Sequence, residues 1–354
     1  MSLPTTSDVW VIQGTEASKG WDNVELQKDR ELEDLGEYGV LVQILDVSLN
    51  YRDLVIPLGQ YNLPLDLPRV ACSDAAANVL AVGSKVKSFS KGDKVITLFF
   101  QGHQHGPITL AAVATGLGGA LDGTLRKYAV FPESGLVLAP SNLSPAEAGT
   151  LTCAPLTAWN SLYGLESKAL KPGDTVLTQG SGGVSLFAIQ LAKAAGATVI
   201  ATTSSDDKQK KLEELGADIV INYKKDPNWG ETAKRLSPNK AGIDHILEVG
   251  GPGTMAQSLK AIKLEGVISV IGFLGGPKSE AEPTTSQALS AGCIIRGVST
   301  GSKVQLQAMN RAIEASNIHP IVDPKAFGFD EVKNAYQYQW EQKNFGKVVI
   351  HVSG

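Results

Sequence analysis

Cysteine is scarce in this chain. The three present in 354 residues, Cys72, Cys153 and Cys293, are far apart and odd in number. That argues against a disulfide framework and points to a reducing compartment. An excess of positive charge is missing too. The 32 Lys and Arg stand against 36 Asp and Glu, for a formal net charge of −4. Nucleic acid and anionic membrane surfaces both want a basic face, so neither is an expected partner. Long hydrophobic runs are also absent. The longest weakly polar stretch, ITLAAVATGLGGAL, is too short and too glycine-rich to span a bilayer. The N-terminal MSLPTTSDVWVIQ has neither the basic nor the apolar region of a secretory signal. These absences lead to the expectation of a soluble, cytoplasmic protein acting on a small molecule. What remains is an ordinary globular composition, 43% hydrophobic and 19% charged, long enough for two domains.

The first 140 residues read mostly as strands, among them VWVIQ, YGVLVQILDVSL, AANVLAVG and DKVITLFF, separated by Gly, Pro and Asp turns. From about Leu143 the pattern changes. SPAEAGTLTCAPLTAWNSLYG reads as a helix with Ser144 as N-cap, Pro145 in its first position and Glu147 completing a capping box. Strands such as TVLTQ, ATVIATT, DIVIN, IDHILEV, VISVIG and CIIRGV then alternate with helical stretches, including TMAQSLKAIKLEG and SKVQLQAMNRAIEAS. Such alternation means a parallel sheet with helices on both faces. The chain closes on FGKVVIHV, a strand expected to pair back with the N-terminal sheet. The pattern divides the chain into residues 1–140 with 317–354, and 141–316.

One stretch carries chemistry. TVLTQ is followed by Gly180-Ser181-Gly182-Gly183-Val184-Ser185, and then by a helix that Gly196 closes. Gly180 permits a tight turn. Gly182 removes the side chain that would block a pyrophosphate, and the free amides at the helix start face that anion. Ser185 replaces the third glycine of the G-x-G-x-x-G pattern but is small enough to keep helix and strand close. A strand, this turn, a helix and a second strand in sequence read as a dinucleotide site.

The second strand ends without an acid. A site for NAD places Asp or Glu there to accept from the ribose 2′-hydroxyl. Here the end reads Ala201-Thr202-Thr203-Ser204-Ser205, with Lys208 just beyond. A carboxylate would repel a 2′-phosphate, whereas hydroxyls and a lysine can hold one. The expected cofactor is therefore NADP(H). Asp206 and Asp207 are read as starting the next helix and complementing its dipole.

Further stretches complete the picture: SLNYRD (48–53), CSDAAANVLAVG (72–83), KGDKV (91–95), LTAWNSLY (156–163), LGADIVINY (215–223), DHILEVGGPGT (244–254), IGFLGG (271–276) and FGKVVI (345–350). In this order the chain resembles the medium-chain dehydrogenase/reductase superfamily, on its branch of zinc-independent alcohol dehydrogenase-like and quinone oxidoreductase-like enzymes. The resemblance covers nearly the whole length. It implies an α/β architecture, a Rossmann domain inserted in a GroES-like β-rich catalytic domain, and a homodimer joined near Cys293 to Val298. It also implies cofactor roles for Gly180, Gly182, Gly183 and Val184 at the pyrophosphate. Thr203, Ser204, Lys208 and Tyr223 would serve the 2′-phosphate, with Tyr223 equally readable as a strand-end aromatic. Gly250 and Gly251 would skirt the adenosine. Gly272, Phe273, Leu274, Gly301 and Ser302 would lie toward the nicotinamide.

Zinc members of this superfamily hold their catalytic metal with Cys, His and Cys. The matching positions here are Asn50, Ser73 and Cys153, which cannot build a tetrahedral N/S site. The four closely spaced cysteines of the structural zinc lobe are absent, and His103 and His105 read as loop residues. Without a metal, hydride needs an acceptor that is already activated, or hydrogen-bond donors that replace the metal, which favours an enone, an enoyl thioester or a quinone. Tyr51 is the candidate proton donor, or else an aromatic wall. Asn50 is a candidate donor to the substrate oxygen or the cofactor ribose. Arg52 and Asp53 are expected to pair and hold the loop. Phe99, Phe100 and residues 101–119 are expected to shape the pocket. A carbonyl reductase or alcohol dehydrogenase on the same scaffold, and a non-catalytic NADPH-binding protein, are the competing readings.

Overall fold

The computed structural model describes residues 3–61, 65–272 and 285–353. The chain opens with strands β1 (Thr6–Ile12), β2 (Val24–Glu31) and β3 (Gly39–Ser48), and a short helix α1 (Tyr51–Val55). Then come β4 (Arg69–Val70), β5 (Asp74–Val82), β6 (Lys94–Thr97), the one-turn α2 (Leu110–Val113), β7 (Tyr128–Pro132) and β8 (Leu136–Leu138). Helices α3 (Pro145–Ala148) and α4 (Ala154–Tyr163) follow. The alternating part runs β9 (Thr175–Gln179), α5 (Gly183–Ala194), β10 (Thr198–Thr203), α6 (Asp206–Glu214), β11 (Ile219–Asn222) and α7 (Trp229–Leu236). It continues through β12 (Ile243–Glu248), α8 (Met255–Ala261), β13 (Ile262–Val270), α9 (Thr285–Ala291) and β14 (Ile294–Gly297). The chain ends with α10 (Lys303–Ser316), β15 (Phe327–Gly328), α11 (Val332–Trp340) and β16 (Val349–His351).

Two compact units result. The first runs to Leu156 and resumes at Thr300; the second is Thr157–Ser299. In the first, β3 is the organising strand. It takes β5, β7 and β16 as antiparallel partners, with Ile350 opposite Val47 and Val349 opposite Ser48. The final strand thus closes onto the N-terminal sheet, as its apolar pattern predicts. A core of Val40, Val42, Ile44, Ala75, Ala77, Phe131, Phe327 and Tyr336 fills this unit. Residues 141–156 and 300–316 group with it as well. Asn310 Nδ2 donates to Leu138 O, and Lys303 Nζ to Glu133 O, which ties α10 to the β-rich unit.

The second unit is a six-stranded, all-parallel sheet in the order β11-β10-β9-β12-β13-β14. Every residue of β9 is buried, as expected of a strand covered on both faces. The order reverses at β9: the chain runs outward through β10 to β11 and then returns to β12 on the other side of β9. A crevice opens beyond the carboxyl ends of strands at such a switch point, and ligands bind there. Among the described residues no helix is long and apolar enough to cross a membrane.

Two segments depart from the sequence pattern. The helix expected from Ser144 to Gly164 is two helices, with the capping box of Ser144 and Glu147 formed as expected. The break lies where Thr150 Oγ1 donates to Glu147 O and Thr152 Oγ1 donates to Thr97 O across the unit. The helix read through KAIKLEG stops at Ala261. From Ile262 the backbone joins the sheet beside β12, so pairing overrides the local helix preference.

Candidate active site

The glycine turn lies at the switch point. Gly180 has φ +75, a left-handed conformation open to glycine, and its N–H donates to Thr202 O on β10. Gly182 is the N-cap of α5 at an ordinary φ of −80. A Cβ built on either residue meets nothing within 4 Å. Packing among the described residues therefore does not explain glycine at 182, and the space beside it is open. Gly183 and Val184 open α5, so their amides are among those no helical carbonyl can satisfy. Ser185 is buried, and its Oγ donates to Gln179 O at 2.7 Å. The serine thus fixes α5 against the end of β9, where glycine would only allow close approach.

Beyond β10, Tyr223 N–H donates to Thr203 O, which brings the end of β11 beside Thr203 and Ser204. Lys208 lies in the first turn of α6 and is half-buried. Burial and the neighbouring Lys211 pull its pKa down, and no carboxylate among the described residues pairs with it. Asp206 is occupied elsewhere, by Lys225 at 2.6 Å and Asn222 at 2.8 Å. Both acids do sit in the first turn of α6, as read from the sequence.

Sequence reasoning missed what holds the next turn. Gln179, the last residue of β9, donates Nε2 to Glu248 Oε2 and accepts at Oε1 from the N–H groups of Val249 and Gly250. Glu248 is fully buried and also accepts from Gly251 N–H, Thr254 Oγ1 and Ser258 Oγ. A polar strand end in each of TVLTQ and IDHILE was the available signal. This network fixes the backbone of Gly250, where a Cβ would strike Thr254. Gly272 is near it in the same unit, with its N–H toward Glu248 O. Phe273 and Leu274 lie outside the described residues. Gly301 and Ser302 belong to the first unit, and Ser302 caps α10 by accepting from Gln305 N–H.

The first unit carries its own polar cluster around α1. Asn50 is the N-cap, and its N–H donates to Asp53 Oδ2 at 2.8 Å. Arg52 donates to Leu117 O, lies 3.6 Å from Asp53 Oδ1 and rests 4.8 Å from the Phe99 ring centroid. Arg52 and Asp53 therefore brace the loop, as expected. Tyr51 follows Asn50, is 38% exposed and stacks on Trp340 with ring centroids 6.3 Å apart. Ser73 Oγ donates to Asp74 Oδ1, and Cys153 N–H to Asp74 Oδ2. Lys347 is buried and donates to Leu49 O at 2.6 Å and Asn50 Oδ1 at 2.5 Å. Its Nζ is 3.9 Å from Asp74 Oδ2.

Known proteins share this plan. The zinc-binding dehydrogenase family matches residues 183–315, and the alcohol dehydrogenase GroES-like domain matches residues 36–141. A zinc-type alcohol dehydrogenase-like protein of Schizosaccharomyces pombe is 44% identical over 94% of this chain and 96% of its own. The chain belongs to the medium-chain dehydrogenase/reductase superfamily. A chloroplastic NADPH-dependent alkenal/one oxidoreductase of Arabidopsis thaliana is 30% identical over 99% of this chain and 81% of its own. A solved structure of a putative alcohol dehydrogenase from Sinorhizobium meliloti 1021 superposes with a TM-score of 0.87 at 38% identity, covering 99% and 100% of the two chains. This superfamily member is an oxidoreductase, and the open cradle at Gly180 and Gly182 fits the nicotinamide dinucleotide that the family implies.

Zinc, which the family name also implies, does not fit the donors present. The Asn50 oxygen already accepts from a lysine ammonium, and the Ser73 hydroxyl donates to Asp74. A dication placed there would meet the Lys347 charge. Cys153 would be the one sulfur donor, beside an amide and a hydroxyl, which falls short of a tetrahedral N/S set. Among the described residues no three His, Cys, Asp or Glu side chains group to hold a metal. His103 is buried with Nε2 on Gly106 O while His105 is exposed, so the H-x-H pair does not converge.

The same burial gives the cluster a pH signature. Desolvation pushes Asp53 up from 3.8 to about 6 against the pull of Arg52, and raises Asp74 against Lys347. Between these values the folded chain holds a proton on Asp53 that the unfolded chain has released. Folding stability contributed by Asp53 is therefore full below 3.8 and is lost as the pH rises from there to about 6. In urea melts, wild type should lose stability relative to Asp53→Asn across that window. Parallel profiles would show that Asp53 titrates normally.

Proposed function

We propose that this protein is an NADPH-dependent, zinc-independent reductase of conjugated C=C bonds in enones, enoyl thioesters or quinones. The observation that carries the reading is the lysine ammonium bonded to Asn50 where a metal would need that oxygen. With no Lewis acid to polarise an isolated carbonyl, the favoured acceptor is one whose conjugation spreads charge onto oxygen. NADPH, when bound, supplies the hydride. In an enone or enoyl thioester the electron pair enters the β-carbon, the π bond shifts toward oxygen, and a proton completes the saturated product at the α-carbon; a quinone takes up the same hydride and proton and leaves as the hydroquinone. Asn50 Nδ2 is the donor to the charged oxygen. Tyr51, next in sequence and half-exposed, is the proton donor. Preference for NADPH is supported by the acid-free end of β10 and the unpaired Lys208. The NADPH-dependent alkenal/one oxidoreductase among the relatives points the same way.

The test is a pair of fluorescence titrations on metal-stripped protein, followed by oxidation assays. NADPH should bind at least tenfold more tightly than NADH, roughly 1.4 kcal/mol. But-3-en-2-one and 1,4-benzoquinone should be reduced, butan-2-one should not, and Tyr51→Phe should slow turnover. Equal binding of the two cofactors, zinc-restored activity, or faster turnover of butan-2-one would each sink the proposal.

The protein is also proposed to work as a homodimer. β14 is the last strand of its sheet, and Ile295, Leu264 and Leu289 are exposed in its unit, the last two 72% and 82%. Light scattering should give the mass of two chains, and Ile295→Lys should shift it toward one.

A further inference from the structure

We propose that Lys347 is a positioning residue for the reaction. It grips the carbonyl oxygen of the Asn50 side chain and so presents the amide nitrogen as a donor to the substrate oxygen. This rests on the reading of Asn50 given above and adds how the side chain is aimed.

Four observations carry it. Lys347 and Asn50 are 6% and 7% exposed, so neither contact is shared with bulk water. An ammonium only donates, so the Asn50 atom 2.5 Å from Nζ must be Oδ1, and the amide cannot flip without losing the bond. Asn50 Nδ2 is then buried, with no well-formed hydrogen bond among the described residues. Asp74 draws on the amide, but an amide nitrogen carries two N–H groups, and the second has no acceptor among the described residues. A buried N–H without an acceptor is costly, and such groups in native structures call for a ligand or functional explanation.

The fourth observation is the rigidity of the lysine itself. Lys347 N–H donates to Ile321 O, and its carbonyl accepts from Asp323 N–H. Gly346 before it has φ +93, and a Cβ there would sit 2.3 Å from Ile321 O. The ammonium is thus delivered from a fixed backbone. A cation on the carbonyl oxygen also polarises the amide, making each N–H a stronger donor. Lys347 thereby passes part of its charge to the reaction through Asn50, without touching substrate.

The test combines a spectrum with a mutant cycle on the full chain. With asparagine labelled in ¹⁵N, the Asn50 side-chain amide is assigned as the signal lost in Asn50→Asp. In wild type its protons should lie downfield of free asparagine, and Lys347→Met should move them back. With NADPH and but-3-en-2-one, Asn50→Ala should lower kcat about 100-fold, the loss typical of one oxyanion donor. Lys347→Met should lower kcat about tenfold or more, and the double variant should be no worse than Asn50→Ala alone. NADPH affinity should stay unchanged throughout. Lys347→Arg keeps a cation and should recover part of both the amide shift and kcat; it carries the test if Lys347→Met does not fold.

Losses that add in the double variant would overturn the proposal, because Lys347 would then act independently of Asn50. So would full kcat in Lys347→Met, weakened NADPH binding with kcat intact, or an amide signal in Lys347→Arg that moves without kcat. Full kcat in Asn50→Ala sinks the donor reading instead, and the amide spectrum still shows whether Lys347 holds the side chain.

Discussion

Gly182→Val is expected to lower NADPH affinity about 100-fold or more, roughly 2.7 kcal/mol, while leaving the thermal midpoint in place. The two halves of this result have one cause. Gly182 has a φ of −80, which valine adopts without strain, and a Cβ there meets no atom of the described residues within 4 Å. Nothing among the described residues resists the substitution. The space it fills is the approach to the first-turn amides of α5, where a pyrophosphate would take its hydrogen bonds. Gly180 is a less clean test. Its φ of +75 penalises any L side chain, so lost binding there would mix with backbone strain. Isothermal titration and a melting curve on Gly182→Val separate the effects. Unchanged affinity would mean that the turn holds no phosphate.

The sequence makes this part of the molecule legible because its signals are local. The run of β9, turn and α5 occupies about twenty consecutive residues, and each of its features is a rule about neighbours. The missing acid at Thr203 and the lysine five residues later are local in the same way. The buried partners are not. Lys347 meets Asn50 across 297 residues, and Gln179 meets Glu248 across 69. Nothing in FGKVVI says which side chain its lysine will find. The misread helices have a related origin. Thr150 and Thr152 spend their hydroxyls on backbone carbonyls, and Ile262 joins β12; propensity along the chain cannot weigh such bonds. Ser185 is an intermediate case. Its small size was legible as a substitute for glycine, but its bond to Gln179 O was not.

Lys208→Glu is expected to weaken NADPH binding by about 100-fold and to change NADH binding little, reversing the preference between them. In the free protein Lys208 is at a disadvantage. It is half-buried, Lys211 stands close enough to repel it, and no carboxylate among the described residues offsets either effect. A 2′-phosphate would offset both at once, since it restores hydrogen bonds to the ammonium and supplies opposite charge at a partly desolvated position. Losing such a pair, and leaving a like charge facing the phosphate, costs about 2–5 kcal/mol. Asp206 does not interfere, because Lys225 and Asn222 already hold it. Lys208→Met separates attraction from repulsion and should fall between wild type and Lys208→Glu. The decisive comparison is salt dependence. Wild-type affinity for NADPH should fall as ionic strength rises, whereas in Lys208→Met the slope should flatten toward that of NADH. If the two cofactors keep parallel slopes in wild type, Lys208 does not meet the phosphate, and the acid-free end of β10 must serve another purpose.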